Sequence, residues 1–118
     1  MAVTTLRANP KVRQNIGRVA LLRGPLIYCL EQADNGGELN AIVIDRSPGR
    51  TDTAPIRELH GAVSVSMPAL RDDITGWNDR LYRADMPEMQ DITARFVPYH
   101  LWDNRDPGEM LVWVRARS

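Results

Sequence analysis

One cysteine in 118 residues excludes any disulfide within the chain. Cys29 lies in the apolar run "LIYCL", where a lone cysteine behaves as a small buried hydrophobe, and no second thiol stands at a zinc spacing from it. The two histidines, His60 and His100, are isolated from each other, so no metal-ligand cluster is spelled out. Net charge is scarce too. Fifteen basic residues balance fifteen acidic ones, which leaves no overall field to draw in nucleic acid or an anionic membrane. Fourteen of the bases are Arg and only Lys11 is Lys, a bias that genome composition explains as readily as a use for bidentate pairing. No apolar window approaches the roughly 18 to 20 residues of a membrane span, and "MAVTTLRANP" has no apolar core of signal-peptide length. These absences lead to the expectation of no cofactor, no metal, no nucleic-acid or membrane partner, and a cytoplasmic location by default.

What is present points to strands. A chain of this length makes one domain, residues 1–118, and with 43% hydrophobic residues it can build an ordinary core without staples. Helical periodicity is never sustained for the roughly 11 residues an amphipathic helix needs. Short apolar or alternating runs recur instead: Val3 to Ala8, Arg18 to Leu22, Leu26 to Glu31, Ala41 to Asp45, and "AVSVSM" at Ala62 to Met67. Turn signals separate them, among them Asn9-Pro10, Gly24-Pro25, "ADNGGE" and the loop "RSPGRTDTAP". "IRELHG" reads as a strand or a single helical turn, and "RDDITGWNDRLYRADMPEMQ" as a loop with a short strand around Arg80 to Arg83. Further on, Ile92, Ala94 and Phe96 form one apolar face of a strand, and Met110, Val112 and Val114 alternate with Leu111, Trp113 and Arg115 in another. Eight prolines and eight glycines punctuate this pattern, which is the rhythm of an antiparallel sandwich or barrel. "RGP" at Arg23 to Pro25 has no polar turn around it, and predicts a bend or bulge that carries one near-continuous strand around the core.

The polar stretch "PYHLWDNRDPGEMLVW", Pro98 to Trp113, raises the question of chemistry. Asp103, Asp106 and Glu109 are close enough in sequence to come within the roughly 5 to 10 Å that separates the two carboxylates of a glycoside-cleaving site. Yet every residue type in "DNRDPG" also has a turn-forming reason to be there, and carboxylates projecting from a tight turn stay in water, where neither becomes a general acid. The stretch therefore reads as the loop of a hairpin, with Trp113 packed as its energetic centre and His100 dispensable. Nucleophile elbow, phosphate loop and dinucleotide fingerprint are missing from the chain. Trp77 can be a ligand platform or a lid on the core, and Trp102 supplies packing area or a sugar-stacking ring.

Two long motifs together resemble a known family. "GRVALLRGPLIYCLEQADN", Gly17 to Asn35, and "PYHLWDNRDPGEMLVWV", Pro98 to Val114, are similar to the C-terminal region of glycoside hydrolase family 127, the β-L-arabinofuranosidases, and "RANPKVRQNIGRVAL" looks like the opening of that tail domain. The resemblance implies a parent enzyme with an α/α-barrel, a zinc-bound cysteine nucleophile and acidic residues, followed by β-sandwich domains of which this chain matches the last. Cys29, within "YCLE", does not match the family's catalytic cysteine, so no catalytic residue carries over. His100 stands where the family pattern suggests an aromatic.

The expectation is an all-β fold, an antiparallel β-sandwich of jelly-roll type with about seven to nine short strands, as the C-terminal fragment of a larger glycoside hydrolase. Its expected role is non-catalytic: a partner for the parent's catalytic barrel or for a second subunit. The alternative is a carbohydrate-binding module using exposed aromatics. Candidate interface or sugar-binding residues are Trp77, Tyr99, His100, Trp102, Asn104 and Arg105.

Overall fold

The computed structural model describes residues 2–45, 49–56, 62–72, 89–99 and 108–117. Nine strands occur among them: β1 Val3–Arg7, β2 Arg18–Arg23, β3 Leu26–Glu31, β4 Ile42–Asp45, β5 Asp52–Pro55, β6 Val63–Asp72, β7 Met89–Pro98, β8 Met110–Leu111 and β9 Val114–Arg117. A one-turn helix α1 spans Gln32–Asn35, and 3-10 turns lie at Arg13–Asn15 and Leu39–Ala41. None of the described helices is long and apolar enough to cross a membrane.

The strands form one sheet ordered β1-β2-β9-β4-β6-β7-β3-β8, and a β2–β3 pairing closes six of them into a barrel, β2-β9-β4-β6-β7-β3. This corrects the expectation of a sandwich. The all-β class and the strand number hold, but the sheet closes on itself rather than packing against a second one, and the β4–β9 pair is parallel. Closure removes sheet edges, which two stacked sheets would leave to be covered.

Why these residues close a barrel is visible in their alternation. Each stave turns every second residue inward: Val19 and Leu21, Tyr28 and Leu30, Ile42 and Ile44, Val65 and Met67, Ala94 and Phe96, and Val114. Tyr28 and Phe96 are fully buried there. Each contributes about 1.5–3 kcal/mol by burial, and the Tyr28 hydroxyl is satisfied by donating to the Val63 carbonyl at 2.8 Å. Cys29 and Val97 face the other way, into a smaller outer cluster with Ile56 and the partly buried Ala62, Met110 and Val112. That second cluster explains why "LIYCL" is apolar on both faces.

Three local readings change. Gly24 and Pro25 do not bend a continuous strand; they reverse the chain, with Arg23 opposite Leu26 and Leu22 opposite Ile27 in an antiparallel hairpin. Gly24 has φ 59°, and a glycine at positive φ followed by a φ-locked proline suits a two-residue type II′ turn. Burial on both sides is found for Val19 to Leu21 and Tyr28 to Leu30, whereas Ile27 is exposed. The run from Met110 to Arg115 is two strands broken at Val112 and Trp113. Nor does it pair with β7 as a hairpin, because β3 lies between β7 and β8. Within "RSPGRTDTAP" the segment Asp52–Pro55 is a strand, paired to β6.

Candidate docking groove and its supporting network

The β2–β3 hairpin is a fork. Near its turn the two strands pair with each other, but past Leu21 and Tyr28 they part. The chain from Met110 to Arg117 enters the opening: β8 pairs with β3 through Leu111 and Met110, and β9 pairs with β2 through Val114 and Arg115. Crossing from one prong to the other requires the break at Val112 and Trp113, and a groove of about 520 Å³ lies along it. Ile27, Tyr99, Met110, Leu111, Val112 and Trp113 give the groove its apolar lining, and Gln14, Asn15, Arg18 and Asn40 add polar groups.

The polar groups are partly held in place. Arg18 Nη1 donates to Asn40 Oδ1 at 3.1 Å and to the Trp113 carbonyl at 3.0 Å, which satisfies a backbone acceptor at the strand break. Trp113 is half-buried rather than packed in the core, a correction to its expected role. The reason is the break itself, which takes residue 113 out of the inward alternation resumed by Val114. Ile27 and Tyr99 are 43% and 41% exposed, and Ile16, which follows the Arg13–Asn15 turn, is also exposed.

Beside the groove a polar network fixes the connection from β3 to β4. The β3–β7 ladder runs through Tyr28↔Pro98, Cys29↔Val97 and Leu30↔Phe96; the next rung would set Glu31 against Arg95, but there the chain turns into α1. The Asn35 side chain takes over that rung. Its Nδ2 donates to the Glu31 carbonyl at 3.0 Å and the Arg95 carbonyl at 2.9 Å, and its Oδ1 accepts the Arg95 N–H at 2.9 Å. Asp34 is ion-paired with Arg95, and Arg71 donates to the carbonyls of Asn35 and Gly37.

Glu109 belongs to this network. Its carboxylate accepts the Glu38 N–H at 2.8 Å and the Leu39 N–H at 3.4 Å, serving orphan donors at the start of the Leu39–Ala41 turn. Its own N–H donates to Gln32 Oε1 at 2.9 Å. Glu38 holds φ 55°, which a non-glycine residue adopts at a cost of about 1–2 kcal/mol.

Of the six candidate residues, Tyr99 lines the groove. Trp77, His100, Trp102, Asn104 and Arg105 lie outside the described residues, as do Asp103 and Asp106. Among the described residues no three His, Cys, Asp or Glu side chains are grouped to hold a metal. Sequence reasoning missed Arg18, Ile27 and Asn40 as groove residues. Ile27 had one signal, an apolar residue on the outward face of β3, but nothing in the sequence marks where the cover over that face stops.

The described residues thus form a small closed barrel with an apolar groove on its wall. The family model of the "Glycoside hydrolase family 127 C-terminal domain" matches residues 3–115, and the chain belongs to that family. It is 41% identical over 120 residues to a non-reducing end β-L-arabinofuranosidase of Bifidobacterium longum subsp. longum, covering 98% of this chain and 18% of that protein. Among solved structures, a family 127 β-L-arabinofuranosidase from Geobacillus stearothermophilus T6 superposes with a TM-score of 0.89 at 41% identity, over 99% of this chain and 18% of that one. A further family 127 β-arabinofuranosidase superposes with a TM-score of 0.79 at 29% identity, over 99% of this chain and 17% of that one. The chain thus spans under a fifth of the length of these relatives.

Proposed function

We propose that this chain is a non-catalytic accessory domain, the C-terminal part of a β-L-arabinofuranosidase-like enzyme, and that it buttresses the catalytic portion or carries a subunit contact. The observation that supports this most is coverage: almost the whole chain corresponds to 18% of a much longer enzyme, so the catalytic portion of such an enzyme is the natural partner. Glu109 adds support, because its carboxylate accepts two backbone N–H groups and so has a structural task in this fold. A second reading, a carbohydrate-binding module, draws on Tyr99, an exposed ring in the same groove as the amides of Gln14 and Asn15.

The test is an assay of the 118-residue chain on aryl and oligomeric arabinofuranosides. No turnover is expected. Hydrolysis that co-purifies with the chain and disappears in Glu109→Ala or Asp106→Ala, while the variant stays folded, would overturn the non-catalytic reading.

A further inference from the structure

We propose that the groove along the Val112–Trp113 break is the face by which this domain docks on the catalytic portion of its own polypeptide, an inference that rests on the accessory-domain reading above. Three observations converge on this groove. Ile27 and Tyr99 both open onto it while 43% and 41% exposed, and Met110, Val112 and Trp113 continue the apolar surface between them. Such clustering is what distinguishes a contact face from scattered surface hydrophobics. The backbone under the groove is fixed before any partner arrives, since Arg18 bonds the Trp113 carbonyl and the strands on either side are locked into β3 and β2. Docking therefore costs little ordering.

Tethering decides between occupants. A groove of about 520 Å³ seats only a few side chains, and a contact that small is held most readily by a segment of the same polypeptide, to which tethering supplies an effective concentration of about millimolar. Relatives of this chain carry the greater part of their length outside the matched segment, which provides such a segment. The occupant we assign is an apolar projection of the catalytic portion, its large side chains resting on Ile27, Val112 and Trp113 and its flanking polar groups meeting Gln14, Asn15 and Asn40.

The experiment uses a full-length chimaera in which this chain replaces the corresponding segment of the Geobacillus stearothermophilus enzyme. Junction cleavage by a protease and the melting temperature are measured for the parent chimaera and for Ile27→Asp, Tyr99→Asp and, away from the groove, Leu6→Asp, which alters a residue 47% exposed on β1. Melts of the same variants of the 118-residue chain confirm that each still folds. Junction cleavage at least about tenfold faster in both groove variants, with Leu6→Asp at the parent rate, is the expected result, since a charge forced into a desolvated contact weakens it by at least that factor. Cleavage unchanged by Ile27→Asp and Tyr99→Asp in a chimaera that is otherwise protected overturns the groove while leaving the accessory reading intact. A parent chimaera cleaved as fast as an unfolded tail overturns the accessory reading and the groove with it. Saturable binding of arabino-oligosaccharides to the 118-residue chain, lost in Tyr99→Asp, overturns the assigned occupant in favour of a glycan.

Discussion

Replacing Asn35 with alanine should destabilise the domain far more than its position in a polar connection suggests. Its amide makes three hydrogen bonds, two of them to Arg95 and one to Glu31, at 2.9 to 3.0 Å. Arg95 has Ser66 opposite it on one side and the Asn35 amide on the other. A net value of about 0.5–1.5 kcal/mol per bond places the loss at roughly 2–4 kcal/mol. The site is partly open to water, which keeps the loss below the full cost of buried orphan groups. Against a total stability of about 5–15 kcal/mol, that is a large fraction. Urea unfolding followed by circular dichroism measures it, with Thr93→Ala, an exposed position on the same strand, as the control. Asn35→Asp should be no better than alanine, because it keeps the acceptor and turns both donated bonds into repulsions with carbonyl oxygens. Amide exchange adds a local readout: the Arg95 N–H should exchange faster in Asn35→Ala at denaturant-free pH 7, while the N–H of Phe96 follows global stability. A loss within about 0.5 kcal/mol of the control, with Arg95 exchange unchanged, would refute the idea that this side chain acts as a rung of the ladder.

Three further outcomes can be checked by the same melts. Trp113→Ala should cost about 1–2 kcal/mol and Phe96→Ala about 3–5 kcal/mol, because the indole lies half-buried at the groove whereas the phenyl ring is enclosed in the barrel; equal losses would return Trp113 to the core. Gly24→Ala should cost about 1–2 kcal/mol through its φ of 59°, a loss that vanishes if the hairpin turn has another geometry. Glu109→Ala should cost about 1–2 kcal/mol by stripping acceptors from the Glu38 and Leu39 N–H groups, and Glu38→Gly should offset part of that loss by relieving a left-handed backbone at φ 55°; no recovery in the double variant would show that the strain is absent.

Strand positions were legible in the sequence because each stave buries alternate side chains, and alternation is a local signal. Val3 to Ala8, Leu26 to Glu31 and Ile92 to Val97 fall on β1, β3 and β7. Closure was not legible. A sandwich and a barrel share the same alternation, and what separates them here is which backbones meet, such as β2 with β3 beside the Gly24 turn and β9 in parallel with β4. Gly24-Pro25 announced an unusual backbone, yet its sequence could not say whether the chain bent or reversed. The groove was hidden for a related reason: Met110 to Val114 reads as one alternating strand, and only the demand to reach both prongs of the fork breaks it. Asn35 was read as a turn former, and its bonds to a strand 60 residues away leave no trace in "ADNGGE". Of the candidate residues Tyr99 is the one that falls among the described residues, and it lines the groove, because an aromatic at a strand end stays near the surface whichever way the sheet closes.

The position of β9 has a consequence for how the domain is made. Val114–Arg117 is not a trailing edge but an inner stave, bonded to β2 on one side and β4 on the other. The ring therefore cannot be completed while those residues remain within the ribosome, and the earlier strands must wait with apolar faces incompletely enclosed. Most of the pairings that follow are long-range, a topology that assembles slowly because loop closure must come first. During that interval the fork stays open. A nascent chain halted before residue 114 should be readily cleaved by protease, and should gain protection only when the last stave emerges.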